Sequence, residues 1–205
     1  MIYNIYISLM FKLLRVFSYK ELKIKDKIIY LTFDDGPEPG ITEEILTLLQ
    51  KYNAKATFFC IGNNYEKYPN LIKLILKDGH ALGNHTYSHL NGHKVEFNKY
   101  IDEVVKTKQL VKSNLFRPPW GSLTVRKCMK IIKDNKIVLW EVDSMDYKKN
   151  MDWNTHCLYM INKTKPGSII LFHFCLIHSE GTRQILLKYI DAASKLGYSF
   201  SLINL

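Results

Sequence analysis

Two carboxylates, Asp34 and Asp35, stand side by side at the end of the apolar run Ile28-Ile29-Tyr30-Leu31-Thr32-Phe33, with Gly36-Pro37 directly after them. Four other places carry groups capable of acid–base or metal chemistry: His85 with His89, Arg117, Asp143 with Asp146, and His173. Singly, each has an ordinary explanation. An Asp-Gly step is often a solvated turn. A histidine pair four residues apart is common on surfaces, Arg117 reads as a surface arginine, and His173 reads as a satisfied core histidine. Jointly they allow a different chemistry. Two imidazoles and one carboxylate form a standard catalytic zinc set that leaves a position open for water, and groups remain over for proton transfer.

The elements around these residues must bring them together. The run before Asp34 is aromatic, aliphatic or β-branched without alternation, which predicts a strand buried on both faces, as in a parallel sheet. Gly36 permits unusual backbone angles and Pro37 removes a donor, so the strand ends there. Further strands are expected over 56–61, 80–84, 115–117, 137–142, 168–172 and 198–203. Helical spacing is expected over 41–52, from Pro69 to the Asp78-Gly79 stop, and over 97–113, 124–134, 153–164 and 182–196. Strands alternating with helices, with no linker or repeat, predict one α/β domain built on a parallel β/α sheet or barrel. In a barrel, residues that follow the strands meet on one face. Asp34, Asp35, His85, His89, Arg117, Asp143, Asp146 and His173 all follow strands.

Composition narrows the partners. The chain has 205 residues, enough for one well-buried domain. Its formal net charge of +10 attracts anionic partners: nucleic acid, acidic lipid or an acidic polymer such as cell-wall glycan. A lysine-rich solvated surface explains the same charge, and the lysines are scattered. No dense basic run is present, so no nucleic-acid partner is expected. Cys60, Cys128, Cys157 and Cys175 form no CxxC pair, which points to buried free thiols and away from zinc knuckles. Residues 1–11 are apolar and uncharged, and Lys12 and Arg15 follow them. That run is too short to span a bilayer and lacks a signal peptide's basic start. Residues 1–26 are expected to pack on a catalytic domain formed by 27–205, with weak membrane contact the lesser alternative. No signal peptide is clear, and the expected location is the cytoplasm or the envelope.

Five segments in order carry a family resemblance: Thr32-Phe33-Asp34-Asp35-Gly36-Pro37, His85-Thr86-Tyr87-Ser88-His89, Arg117-Pro118-Pro119-Trp120-Gly121, Asp143-Ser144-Met145-Asp146-Tyr147 and Leu171-Phe172-His173. This set resembles the motifs of the polysaccharide deacetylases, the NodB-homology group of carbohydrate esterases, over most of 27–203. The resemblance implies a distorted (β/α) barrel with about seven parallel strands. It implies that Asp35, His85 and His89 hold a divalent metal, with zinc first and cobalt or nickel also tolerated by such ligands. It makes Asp34 the base, Arg117 its partner, His173 the acid and Asp146 the carboxylate that orients it. It further implies a backbone oxyanion donor at Trp120 and an acetyl pocket lined by Tyr147 and Leu171. The chemistry agrees: a carboxylate on the metal stays an anion, while one beside Arg117 stays ionised and free to take a proton. A carboxylate beside His173 raises its pKa and fixes its tautomer.

The chain departs from the family pattern at Trp120, where tyrosine is usual, at Tyr147, where tryptophan is common, and at Phe174, where aspartate is frequent. The implied activity is removal of acetyl groups from N-acetylated sugars of peptidoglycan or a chitin-like glycan by a monomer. The alternatives are a xylan O-acetyl esterase or another C–N hydrolase of the same fold, and, in a different class, an inactive glycan-binding module.

Overall fold

In the computed structural model residues 18–19 and 26–205 are described; apart from Ser18–Tyr19, the apolar N-terminal segment and its expected packing lie outside the described residues. The strands are β1 (Ser18–Tyr19), β2 (Ile28–Asp34), β3 (Ala56–Cys60), β4 (Ala81–Asn84), β5 (Leu115–Phe116), β6 (Lys136–Val138), β7 (Val142–Asp143), β8 (Ile169–His173) and β9 (Ser199–Phe200). The helices are α1 (Ile41–Lys51), α2 (Gly62–Lys67), α3 (Pro69–Lys77), α4 (Phe97–Val111), α5 (Val125–Ile131), α6 (Trp153–Lys163) and α7 (Ser179–Lys195). Every strand pair is parallel, in the order β1-β6-β5-β4-β3-β2-β8-β7, with β9 joined to the start of β2.

The order itself shows the curvature. β6 and β7 lie toward opposite ends of the sheet, yet only residues 139–141 separate them in the chain. Four extended steps reach roughly 14 Å at most. The two ends of the sheet must therefore curl toward each other, and the result is a distorted, incompletely closed (β/α) barrel.

The seven expected strands are present, but that over 137–142 is two short ones. Arg117 Nε donates to the Val138 carbonyl and Nη2 to the Leu139 carbonyl, each at 3.1 Å. Both carbonyls accept from a buried guanidinium, and Leu139 belongs to neither short strand where the chain passes from β6 to β7. Helix α2 was not expected either, because Gly62, Asn63 and Asn64 are poor helix formers. Tertiary contacts form it: the Gly62 and Asn63 amides donate to the Thr86 and Tyr87 carbonyls, each at 2.9 Å.

Burial follows the two faces of β2. Ile29, Leu31 and Phe33 point outward into a cluster with Ile41 and Ile45 of α1 and Ile185, Leu186 and Tyr189 of α7. Tyr30 points into the barrel with Phe59, Leu115, Val138 and Ile169. Both faces are covered, which is why the strand reads as unbroken apolar sequence. Among the described residues no helix is long and apolar enough to cross a membrane.

One glycine locks α7 to the site. A Cβ on Gly181 would collide with the Asp146 carbonyl oxygen. Gly181→Ala is therefore expected to lose about 1–3 kcal/mol or more through overpacking against backbone, measured by urea denaturation. A loss within 0.5 kcal/mol of zero, the usual surface range of about ±0.5 kcal/mol, would show that the contact yields freely.

Candidate active site

Asp34 ends β2, and the parallel register sets it beside His173 of β8 and Phe59 of β3. Thr32, two residues earlier, lies on the same strand face. Arg117 follows β5 and joins both: its Nη1 donates to Asp34 Oδ1 and to Thr32 Oγ1, each at 2.8 Å. The guanidinium is fully buried and sits 4.2 Å from the Phe59 ring centroid. Burial pushes its pKa down, and the Asp34 charge acts the other way. Arg117 is thus no surface arginine. It is the pin between Asp34 and the two carbonyls at the barrel gap.

Asp35 turns away from Asp34 because its backbone is left-handed, with φ 80°. The positive angle at this turn falls on Asp35 and not on Gly36. Gly36 is required for closeness: a Cβ there would lie 2.5 Å from Phe174 Cδ2. Phe174 itself is fully buried, with its ring 5.1 Å from that of Phe58, so position 174 packs into the core.

Asp35 Oδ1 lies 3.3 Å from His85 Nε2 and 3.1 Å from His89 Nε2. A tetrahedral zinc with ligand bonds of about 2.0–2.1 Å sets neighbouring ligand atoms about 3.3–3.4 Å apart. The three donors fit such an ion. Asp35 Oδ1 is also buried with no hydrogen bond to it, which a cation would resolve. His85 Nδ1 donates to the Arg117 carbonyl at 2.8 Å, because a carbonyl only accepts. That fixes the tautomer and leaves the Nε2 lone pair facing Asp35. Burial pushes Asp35 up, but the contacts from His85 and His89 prevail and hold it well below the usual carboxylate range.

The segment carrying His85 and His89 is held by two helices, α4 and α2. Asn84 Nδ2 donates to the Val104 carbonyl of α4 at 2.7 Å, Ser88 N donates to Glu103 at 2.7 Å, and the first amides of α2 take its carbonyls. Thr86 and His89 carry φ of 60° and 57°, and Trp120 and Met145 carry 62° and 51°. Left-handed backbone at non-glycine residues is costly and gathers at functional sites.

On the opposite wall, His173 Nδ1 donates to Asp146 Oδ1 at 2.6 Å, and its backbone N–H donates to Asp146 Oδ2 at 2.8 Å. Thr182 Oγ1 of α7 also donates to Asp146 Oδ2, at 2.9 Å. Burial pushes His173 down, yet the Asp146 contact outweighs it and raises the ring to about 9. In the metal-free protein NMR titration of His173 is therefore expected to show a midpoint near 9, and Asp146→Asn to bring it toward or below the ordinary value of about 6.5. The folded value lies above the unfolded one. The stability this supplies is full below about pH 6.5 and is lost as pH rises through about 9. An unchanged midpoint in Asp146→Asn would remove Asp146 as the orienting group.

Asp34, Asp35, His85, His89, Trp120, Tyr147, Leu171 and His173 line one cleft of about 610 Å³, while Arg117 and Asp146 are buried beside it. Of the residues expected from sequence, those eight share the cleft, and Arg117 and Asp146 stand behind its wall. Trp120 is 68% exposed, and its ring lies 5.2 Å from His89. Several neighbours were not expected: Thr32, Thr182, Trp140, Cys175 and His178. Thr32 carried a readable signal, the two-residue period of its strand; the others depend on long-range packing. Asp143, noted at a strand end but given no role, accepts from the Met145 amide at 2.8 Å and from the Tyr147 hydroxyl at 3.3 Å. Burial pushes the Asp143 carboxyl up and, with Asp143 beside it, raises the Tyr147 hydroxyl to about 12.

The same arrangement of chain occurs in known proteins. A peptidoglycan-N-acetylglucosamine deacetylase of Bacillus cereus is 39% identical over 180 residues, 84% of this chain and 65% of that relative's length. The crystal structure of a peptidoglycan N-acetylglucosamine deacetylase in complex with a naphthalenyl N-oxidanyl-benzamide superposes with a TM-score of 0.84 at 33% identity, covering 91% of this chain and 90% of that one. A CE4 family pseudoenzyme from Bacillus anthracis superposes at 0.78 with 26% identity, over 90% of this chain and 66% of its own. Residues 22–140, more than half of the chain, match the profile described as polysaccharide deacetylase, and this chain belongs to the polysaccharide deacetylase family.

Proposed function

We propose that this protein is a metal-dependent hydrolase that removes acetyl groups from N-acetylated sugars of a polysaccharide, with peptidoglycan as the foremost substrate. The observation that carries this reading is the complete set at one mouth: a three-donor metal group, a carboxylate pinned by Arg117, and a histidine held by Asp146. Family membership alone does not supply it, since a pseudoenzyme shares the fold. The deacetylase names of the relatives support the substrate class, and the net charge of +10 suits an acidic wall polymer.

Asp35, His85 and His89 would hold the metal. An ion held by them would supply Lewis-acid chemistry, polarising an acetyl carbonyl and acidifying a water. Asp34 cannot turn away, because Arg117 holds Oδ1, and it accepts the proton of the attacking water. His173, fixed through Nδ1 by Asp146, presents Nε2 to the departing amine and gives it a proton. We assign the Trp120 backbone N–H to the developing oxyanion, and Leu171 and Tyr147 to the walls of the acetyl pocket.

The test is mass spectrometry of products after incubation, with zinc, of peptidoglycan fragments, chitooligosaccharides and acetylated xylan. Loss of acetyl from N-acetylated sugars is the expected result. Loss only from xylan would make it an O-acetyl esterase, and no loss from any substrate would leave a glycan-binding module.

A further inference from the structure

Asp35 has two carboxylate oxygens in different surroundings. Oδ1 faces His85 and His89, whereas Oδ2 faces the Cys175 thiol, with Sγ 3.9 Å away. One donor atom each from Asp35, Cys175 and His178 lie within 4.8 Å of one another, a second three-donor group on the far side of the same carboxylate. Cys175 is free and buried just beyond β8, and His178 is half-buried. The turn between them is closed by the His178 amide donating to the Cys175 carbonyl at 3.2 Å. Asp35 and His178 both line the cleft, so an ion reaches them from solvent.

We infer that Asp35, Cys175 and His178 form a second metal site, selective for a thiophilic divalent ion of the zinc or cadmium class and sharing Asp35 with the first. A thiolate selects such ions over magnesium or calcium, and three ligands leave one position open. Carboxylates shared between two ions hold them about 3.5–4 Å apart in two-metal sites. Binding breaks the Cys175 S–H bond and forms a sulfur–metal bond, and the proton passes to solvent, one for each ion bound. The His178 ring lies 5.2 Å from that of His173. An ion at this site crowds the proposed acid, so metal beyond the first equivalent slows turnover. That consequence rests on the proposed deacetylase reading; the site itself does not.

The test is titration of the full chain with cadmium, following bound metal by dialysis and the ultraviolet thiolate-to-metal charge-transfer band. The wild type is expected to bind two equivalents and to show the band. Cys175→Ser is expected to bind one and lose the band, and His178→Gln to weaken the second equivalent at least tenfold. Circular dichroism of each variant shows whether it is folded. One equivalent without a band in the wild type, or two in folded Cys175→Ser, would overturn the site. In His85→Ala, loss of the other equivalent with the band retained supports it. A band in wild type without the imidazole-held equivalent leaves this site standing and removes the metal centre proposed above, so the two readings fail separately.

Discussion

Asp34→Asn is expected to lower kcat by about 10²–10⁴, equivalent to about 2.7–5.5 kcal/mol of transition-state stabilisation, while the chain still binds its first metal. The size follows from the position of the carboxylate. Asp34 Oδ1 is taken by Arg117 at 2.8 Å, and Oδ2 stands 3.8 Å from His85 Nε2, at the edge of the three-donor group without belonging to it. The amide keeps the shape and loses the ability to take a proton. Metal content and acetate release in the same preparation decide the matter. Unchanged turnover would take the base away from Asp34, and lost metal would place Asp34 among the ligands.

Arg117→Met has the largest expected effect on stability. The guanidinium is fully exchanged from water for Asp34, Thr32 and the carbonyls of Val138 and Leu139. Removing it leaves a carboxylate that is 4% exposed without its counter-charge and two carbonyls without their donor. Breaking a buried pair from one side costs about 3–5 kcal/mol, a fall of about 6–20 °C in Tm for a chain of this size. Asp34→Leu combined with Arg117→Met should recover part of the loss, because no charge is then left unpaired. If Arg117→Met costs below about 1 kcal/mol, the range of exposed pairs, the arginine is not the pin described above.

How much of this was legible in the sequence depends on how local each cause is. The run before Asp34 declares a two-sided buried strand, because six adjacent side chains are apolar or β-branched, and the fold covers both of its faces. The family motifs announced Asp35, His85 and His89 together. Arg117 reads as a surface residue on its own, since nothing near it in sequence reveals Thr32, 85 positions away. The split of the 137–142 strand was hidden for the same reason: the groups that capture the Val138 and Leu139 carbonyls come from another strand end. Gly36 permits unusual angles and so reads as a strand stop. The structure gives that angle to Asp35 and keeps Gly36 small for Phe174, a contact across more than a hundred residues. Cys175 and His178 carry no readable motif of their own and matter only through their nearness to Asp35.

X-ray absorption at the zinc edge, on protein loaded with less than one equivalent, reads the ligands of the Asp35, His85 and His89 centre. The expected first shell is nitrogen and oxygen at about 2.0–2.1 Å containing two imidazoles, one of which is lost in His85→Ala. A shell with fewer than two imidazoles, or one that His85→Ala leaves unchanged, would contradict it.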